Sequence, residues 1–281
     1  MSYSQLARTA ARTAARVRAD LGIGPGECIC PYDLAERLGV PVRLVALPSL
    51  EGVYSSTPKP LILVSAERPA GRRRFTCAHE LGHHSFGHGL RLDELLDEGG
   101  AAWTPEEHVA QRFAAALLMP KLAVASAFSR RGWSVAKPTD EQAFIVSQEL
   151  GVGFTTLITH LETVGGLSGR ALESLRRTRL PRLRQRVAGF AVAHDLAVLD
   201  EHWVRPTMDV EVDDIVLLTG NPSFEGGCAL LRCMPAPHLI ATAQGVGYVS
   251  SDAHDPILIR VSRRGFTGLA QYRHLEDPAD E

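Results

Sequence analysis

The stretch Phe75–Gly89, FTCAHELGHHSFGHG, contains the pattern H-E-x-x-H at His79, Glu80 and His83. Residues four apart lie on one face of a helix, so both imidazoles can reach one metal ion. Zinc held by three protein ligands keeps one position open, lowers the pKa of its water to ~7 and polarises a carbonyl. Glu80 would take the proton of that water and pass it to a leaving amine. The motif therefore predicts a helix that carries a hydrolytic zinc site.

The other histidines of this stretch fit the site less well. Metzincins place a third histidine ten positions after the first, which is Gly89 here, so His88 misses that place by one. We therefore expect His88 to be an exposed residue after the end of the helix. His84 is about 100° from His83 around the helix and points elsewhere. Gly82 would let another chain approach closely, so the third ligand is expected from a second helix.

The run WTPEEHVAQRFAAALLMP, residues 103–120, supplies carboxylates for that third ligand. Its Thr-Pro pair predicts a helix start, and Thr104 with Glu107 three residues later matches a capping box. The capping box explains Glu107 without any metal. Glu107 also shares a helical face with small residues that would allow close packing, whereas Glu106 lies on a neighbouring face. Geometry alone favours Glu107 only slightly, so cap and ligand both remain open.

Composition indicates an ordinary globular protein. The 281 residues are 45% hydrophobic and 22% charged, with a net charge of −2, which gives no electrostatic case for nucleic acid or a membrane. No signal peptide is recognisable, and no window approaches the ~20 apolar residues of a membrane span. Five cysteines in a chain without an export signal indicate free thiols and a cytoplasmic location. A four-thiolate zinc site of Cys28, Cys30, Cys228 and Cys233 is conceivable, although their spacing does not favour it.

Three regions with different patterns predict an α+β protein. Residues 1–130 mix helices with short strands and form the expected catalytic domain. Residues 131–186 are expected to be helical, and they end in the basic run RRTRLPRLRQR, which Pro181 interrupts and which we interpret as a linker. Residues 187–281 consist of short β-like runs and are expected to form a β-rich C-terminal domain of unknown role.

Two motifs together resemble the ImmA/IrrE family of metallopeptidases. They are RRRFTCAHELGHHSFGH and, some twenty residues later, EHVAQRFAAALLMP. The upstream runs PYDLAERLGVPVRLV and EGVYSSTPKPLILVS resemble the same family, so the similarity covers roughly residues 5–130, with weaker similarity to about residue 165. The resemblance implies a zincin-like fold, metal ligands at His79, His83 and Glu107, and a catalytic glutamate at Glu80. Gln111 departs from the pattern, because asparagine is frequent at that position.

The resemblance implies limited proteolysis as the activity. Members of this family are associated with cleavage of XRE-type helix-turn-helix repressors in stress responses or mobile elements, so such a repressor is the expected substrate. The implied cofactor is Zn²⁺, with Mn²⁺ able to take its place. We expect the strand at Leu61–Val64 to be an edge strand that pairs with an extended substrate segment.

A second hypothesis makes the chain a DNA-binding regulator with a structural metal. Ser147–Leu161, with L-G-V in the middle, resembles a helix-turn-helix. However, the run FTTLITHLETVGG contains no arginine or lysine, which is poor for phosphate contacts, so direct DNA binding is not favoured. If they do not bind DNA, these helices would support the peptidase domain or hold its substrate. No membrane partner is expected, and the sequence does not indicate an oligomeric state.

Overall fold

The fold is α+β, as the sequence predicted. A computed structural model describes residues 2–89, 91–94, 104–221, 223–226, 230–233 and 238–275. Its N-terminal elements, in chain order, are α1 (Tyr3–Asp20), α2 (Pro31–Arg37), β1 (Val42–Val45), β2 (Leu50–Ser55), β3 (Leu61–Ser65), α3 (Ala70–Ser85), β4 (Arg91–Glu94), α4 (Pro105–Leu118) and α5 (Lys121–Ser129).

Strand β3 lies inside the N-terminal sheet. It pairs in parallel with β1 on one side and antiparallel with β2 on the other, and β2 pairs in turn with β4. The expectation of an edge strand at Leu61–Val64 was therefore wrong. Both Ile62 and Val64 are fully buried, as in a strand with neighbours on each side. Strand β1 pairs with β3 although β2 lies between them in the chain. The sequence pattern of single strands does not reveal such a spatial order.

Helix α3 lies against β2 and β3 and carries the H-E-x-x-H motif into the interior. Its buried face includes Cys77, Ala78 and Leu81, none of which has any exposed surface. Helix α4 packs against both α1 and α3. Helices α3 and α4 thus lie side by side, with α3 against the sheet.

The stretch Pro105–Ser129 has a length and a mean hydropathy of 1.2 that would suit a membrane span, although the sequence pattern predicted none. It is not one continuous helix, because α4 ends at Leu118 and Pro120 caps the start of α5. Half of its most apolar window is buried inside the protein. Its apolar character is that of a core element.

The middle region is helical, as expected. Its helices are α6 (Asp140–Glu149), α7 (Phe154–Thr163), α8 (Gly169–Arg176) and α9 (Leu180–Ala188). The turn between α6 and α7 contains Gly151 at φ +72°, a conformation that glycine adopts without strain. These helices share one apolar core with the N-terminal elements. The helix-turn-helix identity of α6 and α7 stays a prediction.

The basic run expected as a linker is largely helical. Helix α9 starts at Leu180, inside that run, and Pro181 lies in its first turn. A proline there removes no helical hydrogen bond, because the first N–H groups of a helix have no partner within it. Leu183 is buried in the main core. The proline that suggested a break thus lies at a helix start.

The C-terminal region consists of strands, as its sequence suggested. They are β5 (Leu196–Leu199), β6 (Thr207–Glu211), β7 (Ile215–Leu218), β8 (Ser223–Gly226), β9 (Leu230–Cys233), β10 (His238–Ala241), β11 (Gly245–Ser251) and β12 (His254–Ser262). They form two four-stranded sheets, ordered β5-β7-β10-β9 and β6-β12-β11-β8. Residues of both sheets join in a second apolar cluster, so the sheets pack face to face.

The end of the described chain returns to the N-terminal sheet. Strand β13 (Gly268–Leu269) pairs antiparallel with β1, where Leu269 lies opposite Arg43. A 3-10 turn follows at Ala270–Tyr272. The C-terminal segment is therefore an integral part of the sheet that supports α3.

Buried charges also fasten the C-terminal strands to the N-terminal part. Asp209 of β6 accepts hydrogen bonds from Arg260 at 2.6 and 3.0 Å and from Arg273 at 3.0 Å. Arg205 lies 3.5 Å from the same carboxylate, and Arg260 also pairs with Asp33 of α2 at 2.9 Å. We call Asp33, Arg205, Asp209, Arg260 and Arg273 the Asp209 cluster. It connects α2 with the C-terminal strands through charge pairs.

Candidate metal centre

Helix α3 directs two imidazoles to one point. The Nε2 atoms of His79 and His83 are 3.1 Å apart, one helical turn from each other, and the two rings meet edge to face. His83 has no exposed surface and His79 is 8% exposed. Two nitrogen donors that the sequence placed on one helical face are therefore brought together in a buried site.

Helix α4 adds a carboxylate to the same point. Oε2 of Glu107 lies 3.1 Å from Nε2 of His79, and Oε1 lies 3.4 Å from Nε2 of His83. The helices can approach this closely because a Cβ added to Gly82 would lie only 2.9 Å from the Cα of Ala110. The prediction that Gly82 allows a close neighbour is thus confirmed, and the neighbour is α4.

Thr104 and Glu107 form one of the two hydrogen bonds of the predicted capping box. Oγ1 of Thr104 accepts a hydrogen bond from the Glu107 N–H at 3.2 Å, which is one half of the box. The carboxylate of Glu107 contacts the two imidazoles. Hydrogen bonds from His79 and His83 hold the pKa of Glu107 well below its usual range. Glu107 is therefore ionised near neutral pH and acts as an acceptor.

The described residues contain one group that could hold a metal ion. It consists of His79, His83 and Glu107, whose ligand atoms all lie within 4.8 Å of one another. Glu106, the alternative in the sequence analysis, is not a member. Two imidazole nitrogens and one carboxylate oxygen are donors that zinc accepts, and three protein ligands leave a position open. We call these three residues the metal triad, and their donor set fits the implied ion.

Glu80 is fully buried next to the triad, under strand β2. A Cβ on Gly52 of β2 would collide with the carboxylate of Glu80 and with the methyl group of Thr76. Only glycine at position 52 lets the strand pass over this carboxylate. The carboxylate of Glu80 is therefore held against β2 in the interior of the protein.

His88 was wrongly expected to be exposed. It is half-buried, and its Nδ1 lies 2.9 Å from Nδ1 of His83, on the side of that ring away from the triad. Gly87 turns the chain back at φ +65°, and the His88 N–H donates to the carbonyl of His83 at 3.0 Å. These bonds end α3 in a Schellman motif. The sequence signal was a glycine just after the helix, followed at once by a histidine.

His84 contacts a different partner, as its position on the helix predicted. Its Nδ1 lies 3.0 Å from the hydroxyl of Tyr54, a residue of β2 that is 3% exposed. Burial raises the pKa of Tyr54 and lowers that of His84, so both are neutral near pH 7. Tyr54 is a packed strand residue that holds His84.

The cysteines do not form an alternative centre in the described part of the chain. Cys28, Cys30 and Cys77 are free thiols. Burial raises the pKa of Cys28 to about 11, so its thiolate is scarce near neutral pH. Cys228 lies outside the described residues, and nothing is described of the Cys233 side chain, so the four-thiolate hypothesis as a whole lies outside them.

A cavity of about 1000 Å³ opens beside the triad. His79 and Glu107 line it, together with the start of α3, one face of α4 and the outer face of α7. Its far side is formed by residues of β5 and β6. The site is therefore reached through a large cleft whose walls come from all three regions of the chain.

Comparison with known proteins identifies the domain around this centre. Residues 35–161 match the Peptidase M78 family, whose model is described as an IrrE N-terminal-like domain. The match confirms the resemblance drawn from the two motifs, and it indicates a metallopeptidase. No curated protein matches the chain.

Proposed function

We propose, from the match of residues 35–161 to the IrrE-like peptidase domain, that this protein is a zinc-dependent endopeptidase making limited cuts in a protein substrate. The observation that carries the proposal is the convergence of His79, His83 and Glu107 beside the buried Glu80. An XRE-type helix-turn-helix repressor is the proposed substrate, and its cleavage would start a stress or mobile-element response.

Each residue of the centre has a separate role in this proposal. The metal triad would hold the ion, which when bound polarises the scissile carbonyl and makes water a stronger nucleophile. Glu80 takes the proton of the attacking water and delivers it to the leaving amine. His88 supports the ring of His83 through its second nitrogen, a contact of the kind that orients metal-ligating histidines.

The cavity supports a polypeptide as substrate. Its volume of about 1000 Å³ is at the upper end of the range for small-molecule sites. Its walls combine apolar surface with charged side chains, which suits a chain segment with mixed side chains. A flexible loop of a folded protein can enter such a cleft, whereas a compact domain cannot, which agrees with limited proteolysis.

The alternative of a DNA-binding regulator finds little support. The outer face of α7 carries Thr155, Thr156, Thr159 and Thr163, which line the cavity beside the triad. Helix α7 contains no arginine or lysine, and its only histidine, His160, is buried. A recognition helix needs an exposed face with hydrogen-bonding and cationic side chains for DNA. Here the candidate face borders the cleft.

The test of the proposal is Glu80→Gln, which removes the proposed base and leaves the triad unchanged. Wild-type and variant protein are incubated with zinc or manganese and with the helix-turn-helix repressor encoded nearest in the genome. Wild type should make one discrete cut, and the variant should be slower by ~10² to 10⁴, because that is the typical contribution of general-base catalysis. Both should contain about one metal ion per chain.

Glu106→Gln is the matched control, because Glu106 is outside the triad and should be dispensable for cutting. If Glu80→Gln cuts as fast as wild type, or complements a deletion strain equally well, the peptidase mechanism proposed here is wrong. Binding of the uncut repressor by Glu80→Gln would further support the cleft as the substrate site.

A further inference from the structure

Five arginines line the cavity, and four of them have partners. Arg72 pairs with Glu51 at 2.8 Å, Arg184 with Asp195 at 2.7 Å and Arg205 with Asp209 at 3.5 Å, while Arg74 donates to the carbonyl of Asp209 at 3.1 Å. Among the residues that the structure describes, Arg112 of α4 has no hydrogen bond or ion pair. It is half-buried, so its charge is only partly solvated.

The surroundings of Arg112 are positive. Burial, together with the charges of Arg112 and Lys121, lowers the pKa of His160 on α7 to about 4. His160 is therefore neutral near pH 7. Arg112 and Lys121 both add positive charge near His160, which lines the cleft.

Arg112 lies on the same helix as Glu107 of the triad and lines the same cavity. It is five residues after Glu107, about 7.5 Å along the axis and about 140° around it, so the two side chains leave α4 in different directions. A peptide that fills the cavity up to the triad would therefore also pass Arg112. Thr156, Thr159 and Thr163 of α7 line the same cavity and offer hydroxyl groups to the backbone of such a chain.

We propose that Arg112 determines specificity by pairing with an aspartate or glutamate near the peptide bond that is cut. A guanidinium binds a carboxylate through two parallel hydrogen bonds, which fixes its position as well as attracting it. The acidic side chain of the substrate would supply the missing counter-charge. This inference rests on the proposed function, because it names a feature of the substrate of the same site.

The test separates binding from cutting. Zinc-loaded protein with Glu80→Gln is immobilised and exposed to a library of random ten-residue peptides, and the retained peptides are sequenced by mass spectrometry. Peptides with an aspartate or glutamate should be enriched about tenfold, since a charge-assisted hydrogen bond contributes at least that factor. The enrichment should fall in high salt, because an ion pair in an open cleft is screened.

Variants at position 112, each made together with Glu80→Gln, show whether Arg112 causes the enrichment of acidic peptides. Arg112→Gln should abolish the acidic preference, Arg112→Lys should keep part of it, and Arg112→Glu should change it to a preference for lysine and arginine. The matched control is Arg170→Glu, an exposed arginine on α8 without a partner among the described residues, which should keep the wild-type preference. Metal content and circular dichroism check that each variant is folded.

The outcomes distinguish this inference from the proposed function. No acidic enrichment, or an enrichment that survives Arg112→Glu in a folded and metal-loaded protein, overturns the role of Arg112. Wild-type protein treated with the same library tests cleavage independently, and its cuts should lie at a constant distance from the acidic side chain. Binding that depends on Arg112 without any cut would instead refute the peptidase activity and leave the acidic peptide site intact.

Discussion

The metal triad and the Asp209 cluster are both buried groups of polar side chains, but their charges are balanced differently. Asp209 is surrounded by the guanidinium groups of Arg205, Arg260 and Arg273. Burial alone would raise its pKa, yet Arg273 and Arg260 outweigh burial and hold the pKa of Asp209 well below its usual range. The protein itself supplies the positive charge that this carboxylate needs.

Glu107, in contrast, has only imidazoles around it in the described part of the chain. The neutral form of an imidazole has one unprotonated nitrogen, which is itself an acceptor. Two imidazoles and a carboxylate thus converge, and no guanidinium or ammonium group in the described part of the chain pairs with Glu107. The comparison shows how a structural charge cluster differs from a group that could hold a metal: the first is balanced within the chain, whereas the second offers donor atoms that a cation would complete.

Removal of a triad member should have the largest effect, which is a loss of metal affinity. It is the most direct test of the difference between the triad and the Asp209 cluster. Glu107→Gln keeps the backbone N–H that Thr104 caps, so α4 should remain intact. It loses the charge and one good oxygen donor, and we expect metal affinity to fall on the order of a hundredfold or more, above the range typical of residues that only orient a ligand. Metal analysis after dialysis against zinc or manganese measures this change.

Glu106→Gln is again the control and should keep about one ion per chain. Full metal load in Glu107→Gln, combined with loss in Glu106→Gln, would show that the wrong neighbour had been assigned to the triad. Loss of metal in His79→Ala and His83→Ala is expected on the same grounds.

Asp209→Asn should have the next largest effect. It should lower the free energy of unfolding and leave the metal affinity unchanged. The variant leaves Arg260 and Arg273 buried beside a neutral side chain, and breaking a buried pair from one side costs about 3 to 5 kcal/mol. Urea unfolding measures the free energy, and exposed Asp20→Asn is the control. If the metal load of folded Asp209→Asn falls while its stability is unchanged, the two clusters are not separate in function and the comparison fails.

His88→Ala should have the smallest effect of the three. The variant removes the contact to Nδ1 of His83 but none of the triad, and loss of such a supporting residue weakens metal binding by about 10- to 100-fold. His84→Ala is a close control, because His84 contacts Tyr54 and not the triad. Titration with a competing zinc chelator measures the affinities. Equal affinities for the two variants would mean that His88 does not support the centre.

Much of the centre could be predicted from local sequence. The spacing of His79 and His83 defines one helical face, and Gly82 indicates a close neighbour, because both follow from the geometry of a single helix. The two motifs also pointed to the family that residues 35–161 match, and the weaker similarity noted up to about residue 165 agrees with the end of that match. Where local patterns were ambiguous, as with Pro181 and the basic run, the expected linker was in fact a helix start.

The sequence by itself determined the α+β composition and the H-E-x-x-H helix, because hydrophobic periodicity, helix starts and motif spacing are properties of short segments. Tertiary structure alone decided that the carboxylate of Glu107 contacts the imidazoles and that His88 contacts the ring of His83. It also decided the strand order, in which β3 is central and β13 is the edge strand beside β1. It also made Arg112 the arginine without a partner in the described cavity. The physical reason is that these facts depend on which distant segments meet, and that depends on the packing of the whole chain.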